Sequence, residues 1–192
     1  EKNDQPKSNA IGVNAVMAGF SGNWWEDWFI TQLKSIGVFH SSGFPLTDVE
    51  RLVKGIVDVS ILNFTDNSIE LGEVKTYDGS NYAASSTILG SMSTPPKPRD
   101  KHLLQAFRYS IIAAKIPDHN IKVNNLFYID RSCGAWYKNK QFRIELVVLD
   151  GITFPQITTV WKDEYYSYVD TRISDAGVYS AEEKLLEHFG SG

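Results

Sequence analysis

Residues 51–76 read RLVKGIVDVSILNFTDNSIELGEVKT, and this stretch predicts two neighbouring strands. Its two runs rich in valine and isoleucine, 51–62 and 68–76, flank the polar triplet Thr65-Asp66-Asn67. Runs of this length and composition on either side of a turn are typical of a β-hairpin. Apolar residues flank the acids in both runs, which favours a half-buried strand pair.

The predicted hairpin brings two acids and a lysine together. Side chains alternate between the faces of a strand, so Glu73 and Lys75 share a face. A two-residue turn at Asp66-Asn67 sets Asp58 opposite Lys75, and a shift of the pairing by two residues sets Asp58 opposite Glu73. In either register the three side chains converge on one face, with facing Cβ atoms about 5 Å apart. Both registers stay open here.

The chemistry of this cluster points to a cation. Two carboxylates at such a separation repel each other unless a cation lies between them, and carboxylate, carbonyl and water oxygens are the ligands that Mg²⁺ prefers. We therefore expect Mg²⁺ at Asp58 and Glu73, acting on a phosphate ester. Lys75 would orient the attacking water or stabilise the transition state. The alternative is an ordinary cross-strand salt bridge on a solvated face.

The first helix is predicted to begin after Gly22, with Asn23 as its N-cap, and to end at Gly37. A short strand at 38–40 follows. Glu26 lies on the apolar face of this helix, where a carboxylate needs a partner such as a metal site. The alternative is a capping box, because Glu26 follows Asn23 by three residues.

A second helix is predicted from Lys101 to Ile116, capped by Asp100 and stopped by Pro117. Gln105 and Tyr109 are four residues apart and therefore share a face. Three basic residues recur every seven positions beside them: Lys101, Arg108 and Lys115. The two histidines nearest these elements, His40 and His102, are interpreted as surface or loop residues rather than ligands.

Further elements complete an α/β or α+β arrangement around a mixed sheet. Residues 79–99 show no periodic pattern and predict a flexible, functional loop. A hairpin is expected from strands at 125–130 and 142–149, followed by a strand at 156–161 and a short helix from Ala181.

Three short motifs in this order resemble the PD-(D/E)xK nuclease superfamily, in particular the branch with the RecB nuclease domain and the CRISPR-adaptation exonucleases. The residues that carry the resemblance are Gly55-x-x-Asp58, Glu73-x-Lys75 and Gln105-x-x-x-Tyr109. The resemblance covers about residues 22–130. Two positions depart from it: Val57 replaces the proline of the family name, and Glu26 stands where this branch often has a histidine.

The resemblance implies a restriction-endonuclease-like core of helix, three strands, helix and strand, extended here by C-terminal strands and a short helix. It implies Asp58, Glu73 and the Val74 backbone carbonyl as metal ligands, with Glu26 as a further ligand, directly or through water. It also implies chemistry with one or two Mg²⁺ or Mn²⁺ ions and Lys75 as the catalytic lysine. The expected DNA contacts come from the second helix: Gln105, Tyr109, Arg108 and Lys101.

Composition limits these expectations. The 192 residues fit one globular domain, 1–192, with a loose polar tail at 1–10. The single cysteine, Cys133, cannot hold the iron–sulfur cluster of many relatives. A net charge of −4 is unusual for a DNA-binding protein and requires a local basic groove. No apolar run approaches a membrane span and no signal peptide is seen, so a cytoplasmic or other intracellular compartment is expected.

The resulting expectation is a metal-dependent DNA exonuclease or end-processing enzyme that acts on single strands or duplex ends, with a helicase or recombination and repair partner. A structure-specific or sequence-specific endonuclease is the first alternative. A DNA-binding or assembly module without catalysis is the second, and an RNA substrate stays open.

Overall fold

In a computed structural model, the protein folds around one sheet of seven strands that lie side by side in chain order. The structure describes residues 13–177 except 50, 52, 118–119 and 133–137, and only the backbone of residues 13–21 and 82–84. The predicted tail at 1–10 and the predicted helix from Ala181 lie outside the described residues.

Within the described residues, three helices accompany the sheet: α1 Val13–Ser35, α2 Tyr82–Leu89 and α3 Asp100–Ala113. The strands are β1 Phe39–Asp48, β2 Val53–Asn63, β3 Ser68–Tyr77, β4 Ile121–Asp130, β5 Lys140–Leu149, β6 Ile152–Trp161 and β7 Glu164–Val169. Neighbouring strands are antiparallel except β3 and β4, which are parallel. Since a parallel pair needs a crossover, α2 and α3 lie between them in the chain. The expected α/β class with a mixed sheet is confirmed.

The register of β2 and β3 is the second of the two that were expected. Asn63 pairs with Ser68 and Val59 with Gly72, so Asp58 approaches Glu73. The two-residue turn was wrong, because four residues, 64–67, join the strands. Two side-chain bonds close this longer turn: Asn63 Oδ1 accepts from the Thr65 N–H at 3.0 Å, and Asp66 Oδ1 accepts from the Ser68 N–H at 3.0 Å.

Helix α1 begins ten residues before the predicted start, at Val13. Asn23 is therefore inside the helix and is not its N-cap, and the capping box with Glu26 is wrong. A single glycine such as Gly22 costs a helix only about 1 kcal/mol, so it did not mark an end. The predicted C-terminal signal is confirmed, since Gly37 has a left-handed φ of 78°. The predicted short strand at 38–40 is the start of the longer β1.

Helix α3 also differs at its ends. Asp100 is its first helical residue rather than its cap, and the capping position, Arg99, makes no side-chain cap bond. Asp100 instead forms an ion pair with Arg172 at 3.1 Å. Lys115 lies beyond the helix and binds Asp48 at 2.9 Å, so the third member of the predicted basic stripe has a structural partner.

The two faces of the sheet are covered by different helices. Side chains of α1 pack with Val59, Val74 and Ile129 on one face, and side chains of α3 pack with Leu71 and Leu126 on the other. No helix among the described residues is long and apolar enough to cross a membrane.

The segment 79–99 is not the patternless loop that was expected, because it contains α2. Ile88 of this helix is fully buried against the α3 side of the sheet. The backbone N–H of Lys97 donates to the Thr87 carbonyl at 2.8 Å. This bond joins the part of the segment after α2 to the helix. Packing against the core, rather than helix propensity, explains this element.

Candidate functional site

Asp58 lies where the regular alternation of β2 is interrupted. Val57 packs in the cluster under α3, whereas Val59 packs in the cluster under α1. Residues two apart in a regular strand share a face, so the strand changes face at Asp58. The pairing with β3 ends at Val59 and Gly72. After this pair, the Val74 N–H donates to Asp58 Oδ2 at 2.7 Å. This bond to a side chain replaces a backbone hydrogen bond between β3 and β2.

Glu73 has no exposed surface. Its Oε2 accepts from Lys75 Nζ at 2.7 Å, whereas its buried Oε1 has no hydrogen-bond partner among the described residues. Burial and then the negative charge of Asp58 raise the pKa of the Glu73 carboxyl to about 7. A buried carboxylate oxygen without a partner is unfavourable, so this atom is the most unusual one in the site.

Lys75 lies between the two acids. Its Nζ is 2.7 Å from Glu73 Oε2 and 3.9 Å from Asp58 Oδ2. Burial disfavours the charged ammonium, but Glu73 and Asp58 outweigh it and raise the pKa of Lys75. Burial also raises the pKa of Asp58, against the opposing effects of Lys75 and the Val74 N–H. The predicted convergence of Asp58, Glu73 and Lys75 is present in the structure.

Glu26 reaches the site from α1. It is half-buried, and burial followed by the charge of Asp58 raises the pKa of its carboxyl. The charge of Glu26 likewise contributes to the raised pKa of Glu73. Within the described parts of the chain, however, no three His, Cys, Asp or Glu side chains are grouped so as to hold a metal ion. The side chains of Glu26, Asp58 and Glu73 therefore do not form a complete ligand set by themselves.

The absence of a side chain at Gly55 allows the Tyr109 ring to pack against β2. A Cβ atom on Gly55 would lie 2.4 Å from Cε1 and 2.8 Å from the hydroxyl oxygen of Tyr109. Only a residue without a side chain lets the Tyr109 ring lie on β2 at this point. The ring is also within electrostatic reach of Lys75, so the glycine of Gly-x-x-Asp brings Tyr109 to the site.

The other residues of α3 that were predicted to contact DNA differ in their exposure. Gln105 is half-buried and, by helical spacing, shares the face of Tyr109. Lys101 is exposed in the first turn, and Arg108 is half-buried one heptad later. The charges of Lys75 and Lys101 both act on His102, the residue after Lys101, which indicates that the first turn of α3 is near the site.

His102 is a site residue that the sequence interpretation missed. Its Nδ1 is 2.7 Å from the Tyr128 hydroxyl oxygen, which also accepts the Arg99 N–H at 3.1 Å. Burial and then the charge of Lys75 lower the pKa of His102 to about 4. A signal was available in the sequence: position 102 precedes Gln105 by three residues and Tyr109 by seven, which places it on the same helix face.

Comparison of the chain with protein-family models, with curated proteins and with solved structures finds no match.

Proposed function

We propose that this protein is a divalent-metal-dependent nuclease that hydrolyses phosphodiester bonds in DNA. The observation that carries the proposal is the unpartnered Oε1 of the fully buried Glu73, next to a second carboxylate and a lysine. Leaving a buried polar atom unsatisfied costs about 1–3 kcal/mol, and more when it is charged. A bound cation would remove this cost.

The atoms around Glu73 fit a hard cation such as Mg²⁺ or Mn²⁺. Asp58 and Glu73 supply carboxylate oxygens, which these ions prefer. The Val74 N–H points to Asp58, and both backbone groups of a strand residue point to the same neighbouring strand. The Val74 carbonyl is then on the Asp58 side as well and can act as a third oxygen ligand. In the absence of metal, the Lys75 ammonium compensates the charge of both acids.

When bound, the metal would lower the pKa of a water molecule and neutralise charge on the phosphate. Lys75, held in place by Glu73, would donate a hydrogen bond to the attacking water or to a phosphate oxygen. Glu26 would hold a water molecule of the site through its carboxylate. Gln105 and Tyr109 would bind the strand on either side of the reacting phosphate.

The order of elements supports the same proposal. A helix, three antiparallel strands, a crossover helix and a parallel strand correspond to α1, β1–β3, α3 and β4. This order is the one that a restriction-endonuclease-like core requires, with β5–β7 as additions. The PD-(D/E)xK resemblance, of the RecB type without an iron–sulfur cluster, remains a part of this proposal.

Cleavage assays test the proposal directly. The full chain is incubated with linear and covalently closed duplex and with single-stranded DNA, in Mg²⁺, Mn²⁺ or EDTA. We expect metal-dependent cleavage that falls by at least about 10²-fold in Asp58→Asn, Glu73→Gln and Lys75→Ala. The matched controls are Lys54→Ala, at an exposed lysine of β2, and Glu164→Gln, at an exposed carboxyl of β7. Both should keep the parental rate.

The results also separate the alternatives. Degradation of linear DNA alone supports an exonuclease or end-processing enzyme, whereas prompt nicking of closed circles identifies an endonuclease. Binding of DNA without cleavage in any metal would replace the enzyme by a DNA-binding module. Cleavage in EDTA, or at the parental rate by Lys75→Ala, would overturn the proposed chemistry.

A further inference from the structure

The His102–Tyr128 pair lies directly beside the proposed catalytic lysine. Tyr128 is buried, and its position in β4 pairs with that of Lys75 in β3. Its hydroxyl reaches to the first turn of α3, where it meets His102 Nδ1 at 2.7 Å and the Arg99 N–H at 3.1 Å. The position of the imidazole is therefore tied to the strand that neighbours Lys75.

The hydrogen bonds of Tyr128 determine the tautomer of His102. A tyrosine hydroxyl has one proton to donate, and its oxygen already accepts from the Arg99 backbone. Within the described part of the chain, the His102 Nδ1 is the only acceptor for that proton. Nδ1 is then unprotonated, and the neutral ring carries its proton on Nε2.

The groups near His102 determine which kind of ligand atom its Nε2–H can bind. Among the residues that the structure describes, Nε2 has no hydrogen-bond partner. The positive charges of Lys75, Lys101 and Arg99 act on the ring and contribute to the lowered pKa of His102. A protonated Nε2 does not coordinate a metal, and these cations would repel one. An anionic oxygen, by contrast, gains from the donor and from all three charges.

We propose that the His102 Nε2–H donates a hydrogen bond to a non-bridging phosphate oxygen of the bound nucleic acid strand, at the phosphate next to the one held by Lys75. This inference rests on the proposed nuclease function and names a phosphate-binding residue of the same site. A neutral donor suits this position, because it strengthens the phosphate contact without adding repulsion to Lys75. Tyr128 is the positioning residue, since it acts through the imidazole.

Binding measured without cleavage tests the role of His102. The affinity of the full chain for single-stranded oligothymidylate is measured in Ca²⁺ with the parent, His102→Leu and His102→Gln. The glutamine amide supplies a donor near the place of Nε2, whereas leucine supplies none. We expect about tenfold weaker binding by His102→Leu, which is the usual effect of losing a hydrogen bond to a charged group. We expect His102→Gln to stay within about threefold of the parent.

Two further measurements test the tautomer of His102 and its contact with a phosphate. Nitrogen-15 NMR of the parent should show the Nε2–H tautomer of His102, and its signal should shift when the oligonucleotide is added. Oligonucleotides with a single methylphosphonate at successive linkages should include one that weakens the parent but not His102→Leu. An Nδ1–H tautomer, or equal binding by His102→Leu and the parent, would overturn the inference. If the parent still cleaves DNA in a metal-dependent manner, such a result contradicts only the role of His102 and leaves the proposed function intact. A parent that neither binds nor cuts DNA would contradict both the role of His102 and the proposed function.

Discussion

At the scale of single residues, Glu73 should control how stability responds to pH. Its carboxyl has a pKa raised to about 7 from 4.5, so between these values the native state holds more protons than the unfolded state. Without divalent metal, the stability therefore falls as pH rises from about 4.5 to 7. We expect Glu73→Gln in EDTA to make this fall clearly shallower, as measured by urea denaturation at several pH values.

A smaller fall should remain in Glu73→Gln, because the pKa values of Asp58 and Glu26 are also raised. Glu164→Gln, an exposed carboxyl of β7, serves as the control and should keep the parental profile. Mn²⁺ should stabilise the parent most above pH 7, where Glu73 is ionised. A parent whose stability rises through this pH window in EDTA would contradict the account of Glu73.

Gly55 gives a second prediction at this scale. In Gly55→Ala the new Cβ would lie 2.4 Å from the Tyr109 ring, so the ring must move from its place on β2. We expect a loss of about 1–3 kcal/mol of stability, as for other overpacked sites, together with slower cleavage. Urea denaturation and the cleavage assay measure the two effects.

Gly22→Ala is the matched control for this variant. It makes the same chemical change, but nothing lies within 4 Å of the new Cβ in α1. Because alanine is favoured over glycine inside a helix, it should add about 0.5–1 kcal/mol. Equal stabilities of the two glycine variants would show that Tyr109 does not pack on Gly55.

At the scale of elements, the segment 79–99 should behave as part of the core. Ile88 of α2 is fully buried beside Tyr77 and Leu103. Ile88→Ala should therefore cost about 2–5 kcal/mol, the usual range for a truncated core side chain. Met92→Ala, in the same segment but 84% exposed, should stay within about 0.5 kcal/mol of the parent. Denaturant midpoints of both variants decide between an anchored segment and a mobile one.

At the scale of the whole molecule, the net charge of −4 means that the proposed DNA binding requires a local group of cations. Lys101→Ala, at the site end of α3, should weaken DNA binding in Ca²⁺. It should also flatten the plot of log affinity against log salt by about 0.7–0.9, which corresponds to one phosphate contact. Fluorescence anisotropy at several salt concentrations measures both effects.

Lys122→Ala changes the net charge by the same amount at the other end of the sheet. Its neighbour Ile121 pairs with Ile69, whereas Lys75 pairs with Tyr128, so it lies about 20 Å from Lys75 along β4. It should leave both affinity and slope unchanged. Equal effects of the two variants would show that binding follows total charge and not a local site.

The sequence alone determined the elements whose signals are local. The valine and isoleucine runs predicted β2 and β3 correctly, and Gly37 marked the end of α1, because backbone preference and side-chain pattern act over a few residues. The α/β class followed from these runs together with the two helices flanking them, whereas α2 and β7 were not predicted. Asp58, Glu73 and Lys75 were expected to converge because both possible registers place them on one face.

Only the tertiary structure decided what depends on distant contacts. Asn23 looked like an N-cap, but the helix begins at Val13, because the start of a helix depends on the whole segment and not on one residue. The helix α2 is stabilised by the burial of Ile88 in the core between α3 and the sheet. The raised pKa of Glu73 arises from burial and from the charge of Asp58, and the contact of His102 with the Tyr128 hydroxyl joins residues that are far apart in the chain. Such effects depend on which atoms exclude water and donate protons in the folded molecule, and no local pattern encodes them.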